Sequence, residues 1–295
     1  ALVRKLREQP VDLVITTGPP HSMHLVGLDL KRALGVPWIA DLRDPWSDMD
    51  YLDTFAISQK VRARIRAMEQ EVVQHADQVL VTSPGALDTL QPTGGKGVVL
   101  TNGWDQEDFA EGPKTDRIES STKALGHFGA LYGARNAPAL WRALGDVSGQ
   151  WTLRLGGQVA DEVREDLARA GAGVQFLGDM PHRESVQAMR QCDALLVIHN
   201  NSDSAKRSTP GKMFECLASG LPVLVVGPGD SDLAALCEAW RFAFVAHGDP
   251  NLQAKASQFL ADLPAEGARP ELVTAFERRA LTAQLARLMD GCVKH

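Results

Sequence analysis

The chain has 295 residues, which is long enough for two hydrophobic cores, because single cores stop growing at roughly 250–300 residues. Its 44% hydrophobic and 23% charged residues are typical of an ordinary soluble globular protein. No apolar run approaches the ~20 residues that a transmembrane helix needs. The formal net charge of −6 argues against a nucleic-acid partner, since such partners require a basic surface.

The cysteines and the first residues suggest where the protein works and what precedes it. The cysteines are widely spaced and form no CxxC pair, which predicts a reduced, cytoplasmic protein. They are Cys192, Cys216, Cys237 and Cys292. The chain opens without a methionine in a segment with a helical pattern, so we expect that an upstream segment is missing.

Short apolar runs rich in β-branched residues alternate with helix-length segments, which predicts parallel strands joined by crossover helices. The predicted strands are residues 12–16, 38–40, 78–81, 97–100, 125–128, 152–155, 174–177, 194–198, 223–226 and 242–245. The segment 109–122 interrupts this pattern with turn-forming residues and predicts a domain boundary. The first domain then has fewer strands than the second.

Two helices stand out among the connecting segments. Residues 60–75 and 271–290 each place apolar residues on one face. The first predicts a buried stripe of Val61, Ile65, Met68 and Val72. It also carries four cations between residues 60 and 66, which indicate either a solvated helix or contact with an anionic membrane.

Ligands of open parallel sheets bind at the carboxyl ends of strands, so the residues after each strand are the candidate site residues. After the first strand come Pro20, His21 and Ser22. Ser22 or His21 could cap a helix whose free amides favour an anion, and a plain strand-to-helix turn is the alternative.

The second strand is followed by Asp41, Arg43 and Asp44. Burying these charges would be costly without a partner, so they indicate either a ligand site or mutual pairing across the loop.

A glycine loop begins the second strand series. Gly129 and Gly133 allow the backbone to approach a ligand closely, and Arg135 on the following helix could bind a phosphate with two hydrogen bonds. A bare turn is the alternative, because the loop fits no GxGxxG pattern.

The most informative segment is residues 206–222. Thr209 is predicted to cap a helix with Pro210 at its first position, and Gly220 is predicted to end it. Lys212 and Glu215 share a face of that helix. They could bind the pyrophosphate and ribose of a nucleotide, whereas an i, i+3 ion pair on a solvated helix is the alternative.

Four ordered segments resemble family-4 glycosyltransferases, the large retaining family with the α/β GT-B fold. They are Gly18-Pro19-Pro20-His21-Ser22, the segment from Pro37 to Trp46, Asn102-Gly103-Trp104-Asp105, and the segment from Thr209 to Val223. The resemblance extends over residues 11–289. It implies two Rossmann-like, doubly wound domains facing a cleft, namely an incomplete acceptor-side domain at 1–112 and a nucleotide-sugar-binding domain at 113–270. A C-terminal helix at 271–295 would cross back to the first domain.

The resemblance also implies roles for individual residues. Glu215 would bind the donor ribose, and Arg135 and Lys212 would bind its phosphates. The remaining donor-binding residues would be Gly129, Ala130, Gly178, Ser208, Thr209 and Gly211. Arg43 and Asp44 would lie near the reacting sugar, and Pro20, His21 and Ser22 on the acceptor side.

This chain departs from the family pattern at three positions. Arg207 replaces the first of two glutamates, Ala130 replaces a phosphate-loop arginine, and Arg43 replaces a histidine. The opening strands of the family are also absent, so we expect this chain to bind the donor yet to transfer sugar poorly.

The implied activity is sugar transfer with retention from a nucleoside-diphosphate sugar to a lipid-linked or saccharide acceptor, in cell-surface polysaccharide or glycolipid synthesis. No metal ion or other cofactor is expected, because cations and helix amides can stabilise the leaving diphosphate. The alternatives are a nucleotide-sugar 2-epimerase of the same fold and a non-catalytic nucleotide-sugar-binding module. An epimerase would form its product without an acceptor. A binding module would bind the donor without hydrolysing or transferring it.

Overall fold

The structure, a computed structural model, describes residues 1–49, 52, 55–90, 96–110, 122–264 and 270–293. The chain divides into two compact units. The first contains Ala1–Asn102, Arg207–Thr209 and Arg279–His295, and the second contains Gly103–Lys206 and Pro210–Arg278. The boundary expected at residues 112 and 113 lies outside the described residues.

The first unit is built on a parallel sheet with the strand order β1-β2-β3-β4. Its strands are β1 (Val14–Thr17), β2 (Trp38–Arg43), β3 (Gln78–Val81) and β4 (Gly97–Val99). Its helices are α1 (Leu2–Glu8), α2 (Met23–Leu34), α3 (Gln59–His75) and α4 (Pro84–Leu90). Trp38, Leu42 and Val72 pack in its core.

The second unit is built on a larger parallel sheet with the strand order β10-β9-β8-β5-β6-β7. Its strands are β5 (Lys123–Phe128), β6 (Trp151–Gly156), β7 (Val174–Gly178), β8 (Ala194–Ile198), β9 (Val223–Gly227) and β10 (Ala243–Ala246). The chain moves outward from β5 to β7 and then returns to β8 on the other side of β5. The strand order therefore reverses between β5 and β8, which is the usual place for a ligand in such a sheet.

Helices cover both faces of this sheet. They are α5 (Gln106–Ala110), α6 (Pro138–Asp146), α7 (Asp161–Arg169), α8 (His182–Arg190), α9 (Lys212–Ser219), α10 (Asp232–Trp240), α11 (Leu252–Ala261) and α12 (Pro270–Ala275). Side chains of β8 alternate between the two cores, with Leu196 and Ile198 on one side and Leu195 and Val197 on the other. This alternation explains why the central strands are apolar throughout.

The α/β fold with parallel sheets is confirmed, and every predicted strand is present with small shifts at its ends. The last predicted helix, 271–290, is wrong as a single element. It is divided into α12 and α13 (Arg278–Val293), because the chain between them forms a β-bridge from Glu277 to Trp104. In the described part of the chain, no helix is long and apolar enough to span a bilayer.

The buried stripe predicted on α3 is also partly wrong. Val72 is buried, but Ile65 and Met68 are only half-buried and Val61 is exposed. The helix instead buries a carboxylate, that of Glu69. Its core-facing side therefore lies mainly on its second half.

Candidate functional site

A glycine marks the end of the central strand β5. Gly129 has a φ of 140°, a conformation that side chains other than that of glycine rarely adopt. Its backbone N–H donates to the carbonyl of Gly156 at 2.7 Å. A Cβ atom at position 129 would collide with Nζ of Lys212. The missing side chain thus provides the space that the Lys212 amine occupies.

Lys212 begins α9 and carries a buried charge. Its Nζ is buried and has no hydrogen-bond partner among the described residues. Burial, followed by the nearby Arg135 guanidinium, lowers the pKa of Lys212 to about 8. The ion pair with Glu215, which was the structural alternative, is therefore not formed. A buried amine without a partner is costly and favours an anionic ligand.

The helix begins later than its sequence predicts. The N-cap of α9 is Gly211, and no side chain caps the helix. Thr209 is therefore not the cap, and Pro210 is not the first helical residue. Gly220 ends the helix in a left-handed conformation, as expected.

Arg135 is fixed by three contacts. It lies in a single 3₁₀ turn, Gly133–Arg135, rather than on the following helix as the sequence predicted. Its Nε donates to Oδ1 of Asn200 at 2.8 Å, and its Nη1 donates to the carbonyl of Ala130 at 3.0 Å. Its guanidinium lies 4.8 Å from the ring centre of Tyr132. These contacts hold a permanent cation at the strand-order reversal.

Glu215 lies one turn after Lys212, in a cluster with His182 and Asp108. Its Oε1 is 3.5 Å from Nε2 of His182, which in turn is 3.0 Å from Oδ2 of Asp108. Burial raises the pKa of Glu215, and the neighbouring His182 and Arg278 oppose that rise. The carboxylate remains partly accessible, with 20% of its side chain exposed.

His127, which was not among the predicted site residues, is fully buried in β5. Its Nδ1 lies 3.0 Å from the carbonyl of Leu196, and its Nε2 has no hydrogen-bond partner among the described residues. Burial and then the Lys212 charge hold the pKa of His127 well below its ordinary value. The available signal was a polar residue inside an otherwise apolar strand.

The residues expected on the acceptor side lie in the first unit. Ser22 is the N-cap of α2 but makes no capping hydrogen bond with its side chain. His21 is buried, with its ring stacked at 5.8 Å on Trp46 and its Nε2 3.2 Å from Sδ of Met49. Pro20 ends a run of two cis peptide bonds. His21 therefore packs against its neighbours.

Arg43 is the last residue of β2, which is longer than predicted at this end, and Asp44 follows it in the same unit. Arg43 has a φ of 61°, and its Nε is 3.9 Å from Oδ2 of Asp41, so this part of the predicted mutual pairing is present. Asp44 accepts a hydrogen bond from the Thr82 hydroxyl at 3.5 Å. Burial is the main cause of its raised pKa.

The other predicted donor-binding residues are dispersed. Ser208 and Thr209 belong to the first unit, as does Arg207. The guanidinium of Arg207 forms an ion pair with Asp48, and its backbone carbonyl accepts a hydrogen bond from Oγ of Ser83 at 2.6 Å. Gly178 ends β7 with a φ of 73°. The structure thus brings Gly129, Ala130, Arg135, Gly211, Lys212 and Glu215 together in the second unit.

The second unit also contains a polar cavity that the sequence did not indicate. It has a volume of about 360 Å³ and lies at the carboxyl ends of β8, β9 and β10. Among its lining residues are Asn201, Lys206 and His247, and Lys206 forms an ion pair with Asp203 at 2.8 Å. Within the described residues, no group of three or more His, Cys, Asp or Glu side chains is placed to hold a metal ion.

Comparison with known proteins identifies related domains and folds. Residues 1–103 match the family described as glycosyl transferase 4-like domain. No curated protein sequence matches the chain.

Many solved structures resemble this chain over nearly its whole length, among them the following three. HepE from Anabaena, solved in complex with UDP, shares 18% identity at a TM-score of 0.76, with 98% of this chain and 81% of that chain covered. The lipopolysaccharide outer core galactosyltransferase WaaB shares 12% identity at a TM-score of 0.69, with 98% and 78% covered. A glycosyltransferase from Rickettsia africae shares 11% identity at a TM-score of 0.69, with 100% and 80% covered. At these identities the likeness establishes the fold.

Proposed function

We propose that this protein transfers a sugar from a nucleoside-diphosphate sugar, because residues 1–103 match the glycosyl transferase 4-like domain and the chain has the GT-B fold. The observation that carries the proposal is the buried amine of Lys212 beside Gly129, for which the described residues provide no hydrogen-bond partner. It lies where the strand order of the second sheet reverses. A diphosphate is the ligand that would complete it.

The leaving diphosphate needs positive charge, because charge grows on its β-phosphate as the bond to the anomeric carbon breaks. Lys212 and Arg135 supply two cations whose positions are set before the donor binds. Preorganised charge of this kind stabilises a transition state by several kcal/mol. We therefore propose that transfer requires no metal ion or cofactor.

The nucleoside would lie beside Glu215. An ionised carboxylate accepts hydrogen bonds from both hydroxyls of a ribose, and His182 opposes its protonation. The crystal structures of HepE contain UDP or UDP-glucose, which supports a UDP-sugar as the donor. Gly178, with its left-handed backbone, would lie close to the base.

Sugar transfer would proceed with retention at the anomeric carbon, as the four family-4 segments suggest. The acceptor hydroxyl forms the new bond on the face that the diphosphate leaves, and its proton passes to the departing phosphate. We assign the acceptor side to Pro20, His21 and Ser22, and the region of the reacting sugar to Arg43 and Asp44. Ser208, Thr209 and Gly211 would complete the donor contacts.

The acceptor would be lipid-linked or a saccharide, in polysaccharide or glycolipid synthesis. WaaB, a lipopolysaccharide galactosyltransferase, has a similar fold. Arg64 and Arg66 on α3 are exposed, so they are available for peripheral contact with an anionic membrane. Vesicle sedimentation of wild type and of Arg64→Gln/Arg66→Gln tests this contact, and equal sedimentation at low salt excludes it.

The proposed activity is tested with a panel of UDP-, GDP-, ADP- and TDP-sugars. A donor at 100 times its Kd should raise the unfolding free energy by ~2.7 kcal/mol, and we expect UDP-sugars to do so in the presence of EDTA. Transfer to an acceptor, with the product configuration read by NMR, then tests the reaction and its retention. Absence of stabilisation by every donor would contradict the proposal.

A further inference from the structure

Arg135 is held in place by groups that carry no charge. Its Nε donates to Oδ1 of Asn200 at 2.8 Å, and its Nη1 donates to the carbonyl of Ala130 at 3.0 Å. The guanidinium also lies 4.8 Å from the ring centre of Tyr132. Among the residues that the structure describes, no carboxylate forms an ion pair with Arg135.

Other arginines of the chain are paired with carboxylates. Arg32 forms an ion pair with Glu71 at 2.6 Å, and Arg207 forms one with Asp48. A carboxylate in contact with a guanidinium compensates much of its charge. Because its contacts are neutral, Arg135 keeps its charge for a ligand.

Asn200 reaches Arg135 because their strands are neighbours. Arg135 lies in the loop after β5, and Asn200 is the second residue after β8, which pairs with β5 in parallel. The two loops are joined by the Asn201 backbone N–H, which donates to the carbonyl of Ala134 at 2.8 Å. Oδ1 of Asn200 also accepts a hydrogen bond from the Tyr132 hydroxyl at 3.0 Å. One side-chain oxygen thus fixes both the cation and the ring that lies against it.

The contact with Arg135 fixes the orientation of the Asn200 amide. An arginine Nε–H can only donate, so the amide atom that faces it is the oxygen. That oxygen has two lone pairs, one for the guanidinium and one for the Tyr132 hydroxyl. An aspartate at position 200 would offer an oxygen in the same place and would add a negative charge.

We propose that Asn200 is a positioning residue, which holds Arg135 through a neutral acceptor so that the guanidinium is fixed while its charge stays available for the donor diphosphate. An aspartate would hold the guanidinium as firmly, but it would compensate the charge and repel the phosphates. An alanine would leave the charge in place without fixing its position. The inference rests on the proposed function, because it assigns how a cation for the diphosphate is placed before the donor binds.

The test compares Asn200→Asp, which keeps the acceptor and adds a charge, with Asn200→Ala, which removes the acceptor. Affinities for UDP and for inorganic pyrophosphate are measured calorimetrically on the full chain, and stability is measured by thermal unfolding. Both ligands should bind about threefold more weakly to Asn200→Ala and about tenfold more weakly to Asn200→Asp than to wild type. The unfolding midpoints should follow a different order, with Asn200→Asp equal to or above wild type and Asn200→Ala below it.

Asn201→Asp is the matched control. It makes the same chemical change one residue further along the chain, at an exposed side chain. Both affinities should therefore stay within about twofold of wild type, because an exposed charge without a contact to Arg135 is screened by solvent. An equal loss in Asn201→Asp and Asn200→Asp would overturn the inference, since net charge would then explain the effect.

The relation between affinity and stability separates positioning from a structural role. Affinities that follow the order of the unfolding midpoints, with Asn200→Asp binding as tightly as wild type, would overturn the inference. If Asn200→Asp does not fold, Asn200→Ala decides alone, because unchanged affinity in the folded alanine variant would overturn it as well. Lack of binding of both ligands by the wild type would instead contradict the proposed function.

Discussion

Glu69 in the first unit and Lys212 in the second are both charged groups removed from water, but their surroundings differ. Glu69 is 5% exposed, and its two oxygens accept hydrogen bonds from the Ser47 backbone N–H and hydroxyl, each at 2.7 Å. The Lys212 amine has no such partner in the part of the chain that the structure describes. A buried charge with its hydrogen bonds made holds a structure together, whereas one without them is available for a ligand.

The same difference appears in what each charge does locally. Glu69 ties α3 to the loop after β2 through Ser47. Lys212 instead destabilises the ligand-free fold, since its pKa falls from 10.5 to about 8, equivalent to about 3 kcal/mol. A bound diphosphate would offset that cost.

The largest expected effect is the loss of Lys212. Lys212→Met should lower turnover by roughly 100- to 1000-fold, on the order of the loss of one oxyanion donor, and should weaken UDP binding as well. Kinetics with the best donor measure the change. Lys255→Met is the control, because Lys255 is 52% exposed and paired with Asp249, and it should leave turnover unchanged. Equal turnover in both variants would remove Lys212 from the site.

Loss of Glu69 should affect stability alone. Glu69→Ala leaves the two Ser47 donors unpaired and opens a cavity, so the free energy of unfolding should fall by about 3 kcal/mol. Denaturant unfolding measures it. UDP affinity should be unchanged, since Glu69 belongs to the first unit. A weaker UDP affinity in a folded variant would show that the contrast between the two charges is wrong.

The stability of wild type and Lys212→Met should diverge with pH in a defined direction. Below pH 8 the wild type bears the cost of a buried ammonium, so the methionine variant should be more stable by about 3 kcal/mol. Between about pH 8 and 10.5 the unfolded wild type binds a proton that the folded state does not, so its stability rises relative to the variant and the gap closes. A difference in unfolding free energy that stays constant from pH 7 to 10.5 would contradict the assignment of Lys212 as a buried amine without a hydrogen-bond partner.

The smallest effect is expected at Glu215. Glu215→Gln keeps the size of the side chain but removes its charge and one acceptor, so UDP should bind about tenfold more weakly. Inorganic pyrophosphate, which has no ribose, should bind equally to both proteins. Calorimetry with the two ligands distinguishes ribose recognition from a general loss of the site, in which both affinities would fall together.

Much of this arrangement was predictable from the sequence, and the exceptions have a common cause. The strands follow from short apolar runs rich in β-branched residues, and the position of Gly129 follows from the rule that ligands bind at strand ends. Val61 and Glu69 were not predictable, because the buried face of α3 depends on tertiary packing. The burial of His127 beside the carbonyl of Leu196 likewise depends on a contact between segments far apart in sequence.

The central claim is that a diphosphate completes the Lys212 site, and a crystal structure of the protein with UDP tests it most directly. We predict a phosphate oxygen within about 2.7–2.9 Å of Lys212 Nζ, the range of charge-assisted hydrogen bonds, with the ribose at Glu215. UDP bound elsewhere, or bound with the Lys212 amine still unpaired, would contradict the account.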